Sequence, residues 1–233
     1  MEYINDKENT IIHKDNSLQK LNLAFQSYIL NKEYKTANLL AYWINDFVKY
    51  HGEENDFYSR KLKVFKRGEL VKANLGFNVG NELRGLHYCI VIEKFDNPKN
   101  GTLTVVPLTS KKSNKVYNQC TLNLRKEIYE ILKNKIQKEI EELNKMIELL
   151  SKFGKISEHL KNTLENEMQY FNNLEDEIKK IKKDSIALVN QITTISKQRL
   201  FDETILRKVH ISTETLNLLD NQIIKTFTQF LVC

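Results

Sequence analysis

The side chains best suited to chemistry lie on either side of a glycine-rich stretch, residues 76–85, which holds three of the seven glycines. His87 follows this stretch, and histidine is the side-chain type that exchanges protons near neutral pH. Arg84 can present a planar guanidinium fork to phosphate oxygens. Glu82 can act as a base or orient Arg84, and Thr109 offers a hydroxyl to a phosphate. These residue types together suit acid–base chemistry at a phosphate group.

Short runs rich in β-branched residues predict the strands that position these side chains. The runs are 69–75, 86–93, 102–109, 116–122 and 185–195. Alternation along a strand places His87 on the opposite face from its two neighbours, so it can face a groove while they pack. Pro107 lies inside a run, which predicts an edge strand or an interruption there. The alternatives are an ordinary half-buried histidine at position 87 and an ordinary strand residue at Thr109.

Apolar residues at steps of three and four predict helices elsewhere. Residues from about 17 to 50 are predicted to form two short helices broken near Asn31. Two further series lie between residues 123 and 183 and predict an antiparallel, coiled-coil-like hairpin of helices about 40 Å long, with the turn at Gly154. Its two ends should meet on adjacent strands. A terminal helix is predicted from Ser212, which would be its N-cap.

The basic side chains are concentrated in one part of the chain. The formal net charge is +6, but residues 59–122 hold 12 basic and 4 acidic side chains, whereas residues 1–58 hold 6 and 9. A basic globular segment favours an anionic partner such as nucleic acid, and solubility is an equal alternative. Seven glycines and two prolines argue against collagen-like and linker-rich chains, and 41% hydrophobic residues argue against disorder.

Cysteine and histidine usage limits the cofactors that can be expected. Cys89, Cys120 and Cys233 are too few for a disulfide framework, and none has a CxxC partner. The other histidines lack the spacing of metal ligands, so no metal and no cofactor are predicted. There is no apolar signal segment at the N-terminus and no run as long as a membrane span, which predicts a cytoplasmic protein without a membrane partner.

Four segments, read in order, resemble the PemK/MazF family of toxin endoribonucleases. Residues 66–71 (KRGELV) look like the first strand, and residues 80–92 (GNELRGLHYCIVI) look like the loop that runs into the second strand. Residues 105–110 (VVPLTS) match a strand that ends in Thr or Ser. Residues 186–200 (IALVNQITTISKQRL) are similar to the late Gln-Ile-x-Thr-Ile-x-Lys-x-Arg-Leu segment. The resemblance covers 66–122 and 184–231, and the helical hairpin interrupts it.

This resemblance implies a fold, an activity and partners. The fold would be a small SH3-like β-barrel with a C-terminal helix, commonly a homodimer. The activity would be metal-independent cleavage of single-stranded RNA such as mRNA, and a cognate antitoxin protein would neutralise it. Better-known members usually have Arg where His87 stands, paired with the Thr that Thr109 matches, and more distant members have His. Whether His87 replaces that Arg or Arg84 serves instead stays open.

The predicted site has a catalytic part and an RNA-binding part. His87 and Arg84 would carry proton transfer and charge stabilisation, with Thr109 and Glu82 in support. The predicted RNA-binding residues are Ser110, Lys111, Lys112, Lys115, Gln191 and Thr194. The lysines are equally compatible with a charged strand edge that prevents aggregation. For Gln191 and Thr194, hydrogen bonding inside the sheet is the favoured alternative.

The sequence therefore predicts an α+β protein with three parts. Residues 1–58 form an N-terminal helical region, 59–122 and 184–233 a discontinuous MazF/PemK-like barrel domain, and 123–183 the inserted hairpin. The predicted function is that of a type II toxin, an endoribonuclease that cleaves by 2′-OH attack. The alternative is a non-catalytic toxin or regulatory protein that binds a protein target or nucleic acid through the barrel and the hairpin. The hairpin is predicted to protrude from the barrel and to mediate self-association, partner docking or restriction of the site.

Overall fold

The computed structural model of the chain describes residues 6–57, 62–152, 157–179, 184–201, 206 and 208–229. These residues form a mixed α+β structure. The helices are α1 (Lys7–Leu30), α2 (Tyr34–Gly52), α3 (Glu127–Lys152), α4 (Glu158–Lys179) and α5 (Thr213–Phe227). The strands are β1 (Leu70–Asn74), β2 (Leu86–Val91), β3 (Thr102–Ser110), β4 (Thr121–Asn123), β5 (Ser185–Leu188), β6 (Thr193–Ser196) and β7 (Leu200–Phe201). The chain divides into two compact units, Met1–Asp56 and Phe57–Cys233.

The first unit contains α1 and α2, which separate at Asn31 as the sequence predicts. Helix α1 begins well before the predicted start near residue 17, because the Asp6 carboxylate caps it and accepts a hydrogen bond from the Asn9 backbone N–H at 2.9 Å. The pKa of the Asp6 carboxyl is held below its usual range, chiefly by the hydrogen bond from the Asn9 side chain and secondly by the one from the Asn9 backbone N–H. The described part of the two helices buries only Ala37, so this unit has almost no core of its own.

The second unit is built on an antiparallel sheet with the strand order β4-β5-β3-β2-β1-β7, and β6 pairs with β3 beside β5. The α+β class is therefore confirmed. The predicted SH3-like barrel is not closed in the described residues, since β4 and β7 remain at the two edges. Strands β6 and β7 are joined by one turn at Lys197–Arg199 but pair with different strands, β3 and β1.

Strand β3 is central, so of the two predicted alternatives at Pro107 the edge strand is wrong, whereas an interruption does occur in its pairing on one side. One side of β3 pairs with β2, where Pro107 stands opposite Cys89. The Ile92 N–H donates to the Thr104 carbonyl at 3.1 Å, so even-numbered residues of β3 direct their backbone groups toward β2. Pro107 therefore directs its nitrogen to the other side, between the stretch paired with β6 (Thr102 to Val105) and the stretch paired with β5 (Leu108 to Ser110). No ladder hydrogen bond is needed there, which accommodates proline.

Two other predicted strands are also corrected. The run 116–122 contributes only β4, and Val116 is 95% exposed, because residues 111–117 form a turn around the Tyr117 hydroxyl. The run 185–195 is divided into β5 and β6 by a 3-10 turn at Val189–Gln191. Before this turn the chain pairs with one part of β3 as β5, and after it with another part as β6. The residues of the turn lie between these two pairings and can face a groove beside β3.

The helical hairpin is confirmed in its helices and their pairing. Helices α3 and α4 pack through the predicted apolar stripes, whose buried members are Ile128, Leu132, Ile136, Leu143, Leu164, Phe171, Leu174 and Ile178. At its root the Leu124 N–H donates to the Ser185 carbonyl, and the Ser185 N–H donates to the Arg125 carbonyl, both at 2.8 Å. The two ends thus meet on adjacent strands, as predicted. Gly154, the predicted turn, lies outside the described residues.

The terminal helix α5 begins as predicted, with the Ser212 hydroxyl accepting from the Thr215 N–H at 3.2 Å. The Glu127 carboxylate of α3 accepts hydrogen bonds from the Ser212 N–H and the Thr215 hydroxyl, which joins the hairpin root to α5. None of the described helices is long and apolar enough to cross a membrane.

The sheet buries apolar residues on both faces, and this fixes where the candidate site lies. One core includes Leu70, Ile90 and Val106 together with the stripes of the hairpin. The second, smaller core contains Ala73, Cys89, Val105 and Ile195 with their neighbours. Because side chains alternate along a strand, His87 and Thr109 share the face of the smaller core.

Candidate active site

The loop between β1 and β2, residues 76–85 and hereafter the Arg84 loop, is closed at its neck by backbone hydrogen bonds. The Gly85 N–H donates to the Gly76 carbonyl at 2.8 Å, and the Leu75 N–H donates to the Gly85 carbonyl at 2.9 Å. Both glycines have a φ of +88°, which residues with a Cβ rarely adopt. The Asn74 side chain accepts from the Gly76 N–H at 3.0 Å. The glycines that the sequence analysis singled out therefore build the narrow base of the loop.

His87 lies on β2 directly after this neck and is half-buried. Its Nδ1 lies 2.9 Å from the Leu108 carbonyl oxygen of β3, and its Nε2 lies 3.2 Å from the Arg84 carbonyl oxygen. Both partners only accept hydrogen bonds, and a neutral imidazole donates from one nitrogen alone. A neutral ring can therefore donate to only one of these two carbonyls at a time. Through its two contacts, His87 joins the Arg84 loop to β3.

Thr109 is brought close to His87 by the register of β2 and β3. The paired residues are Val91 with Val105, Ile90 with Val106 and Cys89 with Pro107. Two further steps along the same register set His87 opposite Thr109, and directly opposite residues of antiparallel strands share a face. The half-buried Thr109 also pairs with Ile186 of β5. The threonine and the histidine therefore lie side by side on one face of the sheet.

Arg84 and Glu82 lie in the exposed part of the loop. The guanidinium carbon of Arg84 is 5.0 Å from the centre of the Phe77 ring, a cation–π arrangement that restrains the side chain. With the described residues Arg84 forms no ion pair, so its donors remain available to an anion. The Glu82 carboxylate accepts from the Val79 N–H at 3.2 Å and is not paired with Arg84. Of its two predicted roles, this arrangement leaves the carboxylate as a possible base.

A groove of about 360 Å³ opens on the same face, beside the Arg84 loop. Its polar lining is drawn from the loop, from the turn after β5 and from the turn after β6. These residues are Asn78, Glu82, Asn190, Gln191 and Arg199, to which β6 adds Thr193, with Pro107 at the side. The volume is that of a small-molecule site, and the amide groups can donate and accept hydrogen bonds.

The lysines after β3 surround a small turn next to the site. The Lys112 N–H donates to the Tyr117 hydroxyl at 2.9 Å, and that hydroxyl donates to the Ser110 carbonyl at 3.3 Å. The Lys115 ammonium lies 5.6 Å from the Tyr117 ring centre. Lys111 is paired with Asp184 at 3.3 Å, whereas the ammonium groups of Lys112 and Lys115 have no carboxylate partner in the described residues.

The structure separates the two remaining predicted residues. Gln191 lies in the groove, and its carboxamide is hydrogen-bonded to the Arg84 loop. Thr194 is exposed and shares a hydrogen bond of 3.1 Å with the hydroxyl of Thr104. Thr104 is an even-numbered residue of β3 and faces the opposite side of the sheet from Thr109. Thr194 is therefore placed away from the groove.

Sequence reasoning missed several residues around the site. Phe77, Asn78, Asn190 and Arg199 were given no role, although Arg199 stands in the late motif. The Arg199 Nε donates to the Asn74 carbonyl at 2.7 Å and thereby supports the loop neck from below. The signal available was the Lys-x-Arg spacing of that motif, but its partners lie more than a hundred residues away. In the described part of the chain no group of three or more His, Cys, Asp or Glu is arranged to hold a metal.

The two cysteines in the described part of the chain differ in burial. Cys89 is fully buried beneath the site, and burial raises the pKa of its thiol from 9.0 to about 12, whereas Cys120 is half-buried. The thiolate is the reactive form, so at pH 8 roughly one Cys89 thiol in ten thousand is reactive. We expect iodoacetamide at pH 8 to alkylate Cys120 in the native protein and to leave Cys89 unmodified, as measured by mass spectrometry of peptides. In urea both should react equally, and rapid native labelling of Cys89 would contradict its burial.

Comparison with known proteins agrees with the position of this site in the chain. No curated protein matches the chain. A protein-family model does match: the matched segment starts at Lys66, continues through β1 to β4 and α3, and ends at Phe171 within α4. It contains the Arg84 loop, His87 and Thr109, whereas Gln191 lies beyond it. The match continues into the hairpin and does not include the late segment, residues 186–200. Residues 66–171 match the family described as PemK-like, MazF-like toxin of type II toxin-antitoxin system, which confirms the family resemblance seen in residues 66–122.

Proposed function

We propose that the protein is the toxin of a type II toxin–antitoxin system and acts as a metal-independent endoribonuclease on single-stranded RNA. The observation that carries this proposal is the convergence of His87, Thr109 and the Arg84 loop on one face of the sheet, beside a groove. The family match over residues 66–171 supports the toxin role. The activity itself is inferred from the chemistry of the site.

Cleavage of RNA without a metal has three chemical requirements. The 2′-OH must lose a proton, the leaving 5′-oxygen must gain one, and the negative charge that develops on the phosphorane must be stabilised. Both nitrogens of His87 face carbonyl oxygens, which suits it as the acid that protonates the 5′-oxygen. The 3.2 Å contact of Nε2 with the Arg84 carbonyl is the longer of the two and is the one that RNA would displace.

The other two requirements fall to the neighbouring residues. The Glu82 carboxylate is exposed at the groove and would accept the proton of the 2′-OH. The guanidinium of Arg84, held by the Phe77 ring, would donate to the non-bridging oxygens of the phosphate. The Thr109 hydroxyl would orient the phosphate between them. The products would carry a 2′,3′-cyclic phosphate and a 5′-OH.

The surroundings of these residues suit a nucleic-acid strand. Lys112 and Lys115 would contact phosphates on one side of the site, because their ammonium groups are exposed. The groove of about 360 Å³ is large enough for a nucleobase, and the amide groups of Asn78 and Asn190 would read the base edge. We further propose that the protein acts in the cytoplasm as a homodimer of SH3-like barrel domains. A cognate antitoxin would neutralise it by covering the groove.

The direct test is incubation of the purified protein with a long single-stranded RNA, with and without EDTA. We expect defined fragments in both samples, with a cyclic phosphate at the 3′ end and a free hydroxyl at the 5′ end. Fragments that vanish with EDTA would contradict the metal-independent mechanism. Intact RNA under all conditions would contradict the nuclease and favour a non-catalytic toxin of the same fold.

A further inference from the structure

Gln191 joins the turn after β5 to the Arg84 loop through both atoms of its carboxamide. Its Oε1 accepts from the Leu83 N–H at 2.6 Å, and its Nε2 donates to the Asn81 carbonyl at 3.2 Å. Asn81 and Leu83 are the neighbours of Glu82 in the chain, and Leu83 directly precedes Arg84. The Gln191 side chain therefore forms the hydrogen bonds that the backbone of a neighbouring strand would form with this part of the loop.

The contact requires a carboxamide. One backbone partner donates and the other accepts, and only Asn or Gln presents a donor and an acceptor at the end of a planar group of this kind. A glutamate at this position would keep the bond from Leu83 but would bring a carboxylate oxygen against the Asn81 carbonyl. Glutamate has almost the same side-chain volume as glutamine, so the main effect of the substitution is to replace one attractive contact with a repulsive one.

The base that carries Gln191 is firmly fixed. The preceding Val189 is fully buried, and β5 is paired on both sides, with β3 and with β4. The loop, by contrast, is exposed at Glu82 and Arg84 and is narrowed to two glycines at its neck. The turn that carries Gln191 is fixed, and the loop is attached only through its narrow neck. Two contacts therefore hold the loop at the groove, the Gln191 contact and the contact of His87 with the Arg84 carbonyl.

We infer that Gln191 is a positioning residue that holds Arg84 and Glu82 at the reacting phosphate, and that it acts through the backbone of the loop. This inference rests on the proposed function for its catalytic consequence. The hydrogen bonding of the loop does not depend on that function. Gln191 consequently differs from a residue that reads RNA, since both of its polar atoms are already used by the protein.

The first experiment measures the loop without RNA. Trypsin cleaves after Arg84 only when the loop opens, so its rate reports the opening equilibrium. We expect Gln191→Glu and Gln191→Ala to raise the rate of cleavage at the Arg84–Gly85 bond by about tenfold, since about one to two hydrogen bonds to the loop are lost. The matched control is Gln169→Glu on the exposed side of α4, which should leave the rate unchanged. An unchanged rate in both Gln191 variants would overturn the inference.

The second experiment measures RNA cleavage by the same variants. A positioning role predicts a fall in kcat with little change in KM, because the misplaced groups act at the transition state. It also predicts that Gln191→Glu has a smaller effect once Arg84→Ala is present, because only the displacement of Glu82 then still lowers the rate. A loss confined to KM that adds fully to the Arg84→Ala loss would instead indicate direct contact with RNA and overturn the inference. If the wild-type protein does not cleave RNA, the proposed function fails, and the trypsin result alone decides whether Gln191 holds the loop.

Discussion

Replacement of His87 by alanine, asparagine or glutamine is expected to lower the rate of RNA cleavage by a factor of about 10² to 10⁴, the usual contribution of a positioned acid or base. None of the three side chains can transfer a proton at neutral pH. The measurement is single-turnover cleavage of a defined RNA at saturating protein, so that a change in RNA affinity does not enter the rate.

The two amide variants separate catalysis from anchoring. The asparagine amide nitrogen lies near the position of Nδ1 and can keep the bond to the Leu108 carbonyl, whereas that of glutamine lies near Nε2 and can keep the bond to the Arg84 carbonyl. If His87 transfers a proton, both variants lose cleavage. Near-normal cleavage in either of them would show that His87 only holds the loop and β3 together.

Alanine at position 87 should also cost stability. The Leu108 residue is 5% exposed, and its carbonyl would lose the Nδ1 partner that lies at 2.9 Å. The register of β2 and β3 also sets the Tyr88 N–H against this carbonyl, so one of its two hydrogen bonds remains, and loss of the other costs about 0.5–1.5 kcal/mol. We therefore expect His87→Ala to lower the free energy of unfolding by about this amount and His87→Asn to lower it less.

Removal of one member of the Asp96–Lys197 pair is expected to cause the largest loss of stability. The two side chains are 0% and 3% exposed, and the Lys197 ammonium lies 2.7 and 2.8 Å from the two carboxylate oxygens of Asp96. It also donates to the Lys63 carbonyl at 3.0 Å, while Asp96 accepts from the Phe65 N–H at 2.8 Å. The pair thus joins the segment before β1, the turn after β2 and the turn after β6. Lys197→Met leaves a buried carboxylate and should cost about 3–5 kcal/mol.

Urea unfolding followed by circular dichroism measures this loss. The double variant Asp96→Asn/Lys197→Met should recover part of it, because no uncompensated charge remains buried. The control is Lys138→Met on α3, whose partner Glu142 lies at 3.7 Å with both side chains well exposed, and which should cost less than about 1 kcal/mol. Equal losses at Lys197 and Lys138 would contradict the importance of burial.

The parts of the structure that follow from local patterns were predictable from the sequence. Apolar spacing predicts α3 and α4, the hydroxyl of Ser212 predicts the start of α5, and the glycines predict the loop before His87. Strand alternation also places His87 on a face where a groove is possible. These features depend on residues near each other in the chain, so the pattern alone contains them.

The parts that depend on distant pairing were not predictable. Pro107 fits a central strand only because β6 pairs with the part of β3 before it and β5 with the part after it. The sequence does not reveal this change of pairing partner. The partners of Gln191 and Lys197 lie about a hundred residues earlier in the chain. Neither residue type indicates its partner, since glutamine in a strand run is most often exposed and a lysine is rarely buried. The sequence consequently predicts the catalytic candidates but not the contacts that hold them.

The root of the hairpin has a consequence for how such a chain can vary over evolution. Residues 124 and 185 are hydrogen-bonded to each other, so the backbone leaves the sheet and returns to it at neighbouring points. Burial is greatest near this root, at Ile128, Leu132 and Ile178, whereas Met146 and Leu149 toward the tip are more than half exposed. A helical turn can therefore be added to or lost from both α3 and α4 at the tip without shifting any strand of the sheet. Length variation among relatives should be found there, and the sheet with its site should keep a constant length.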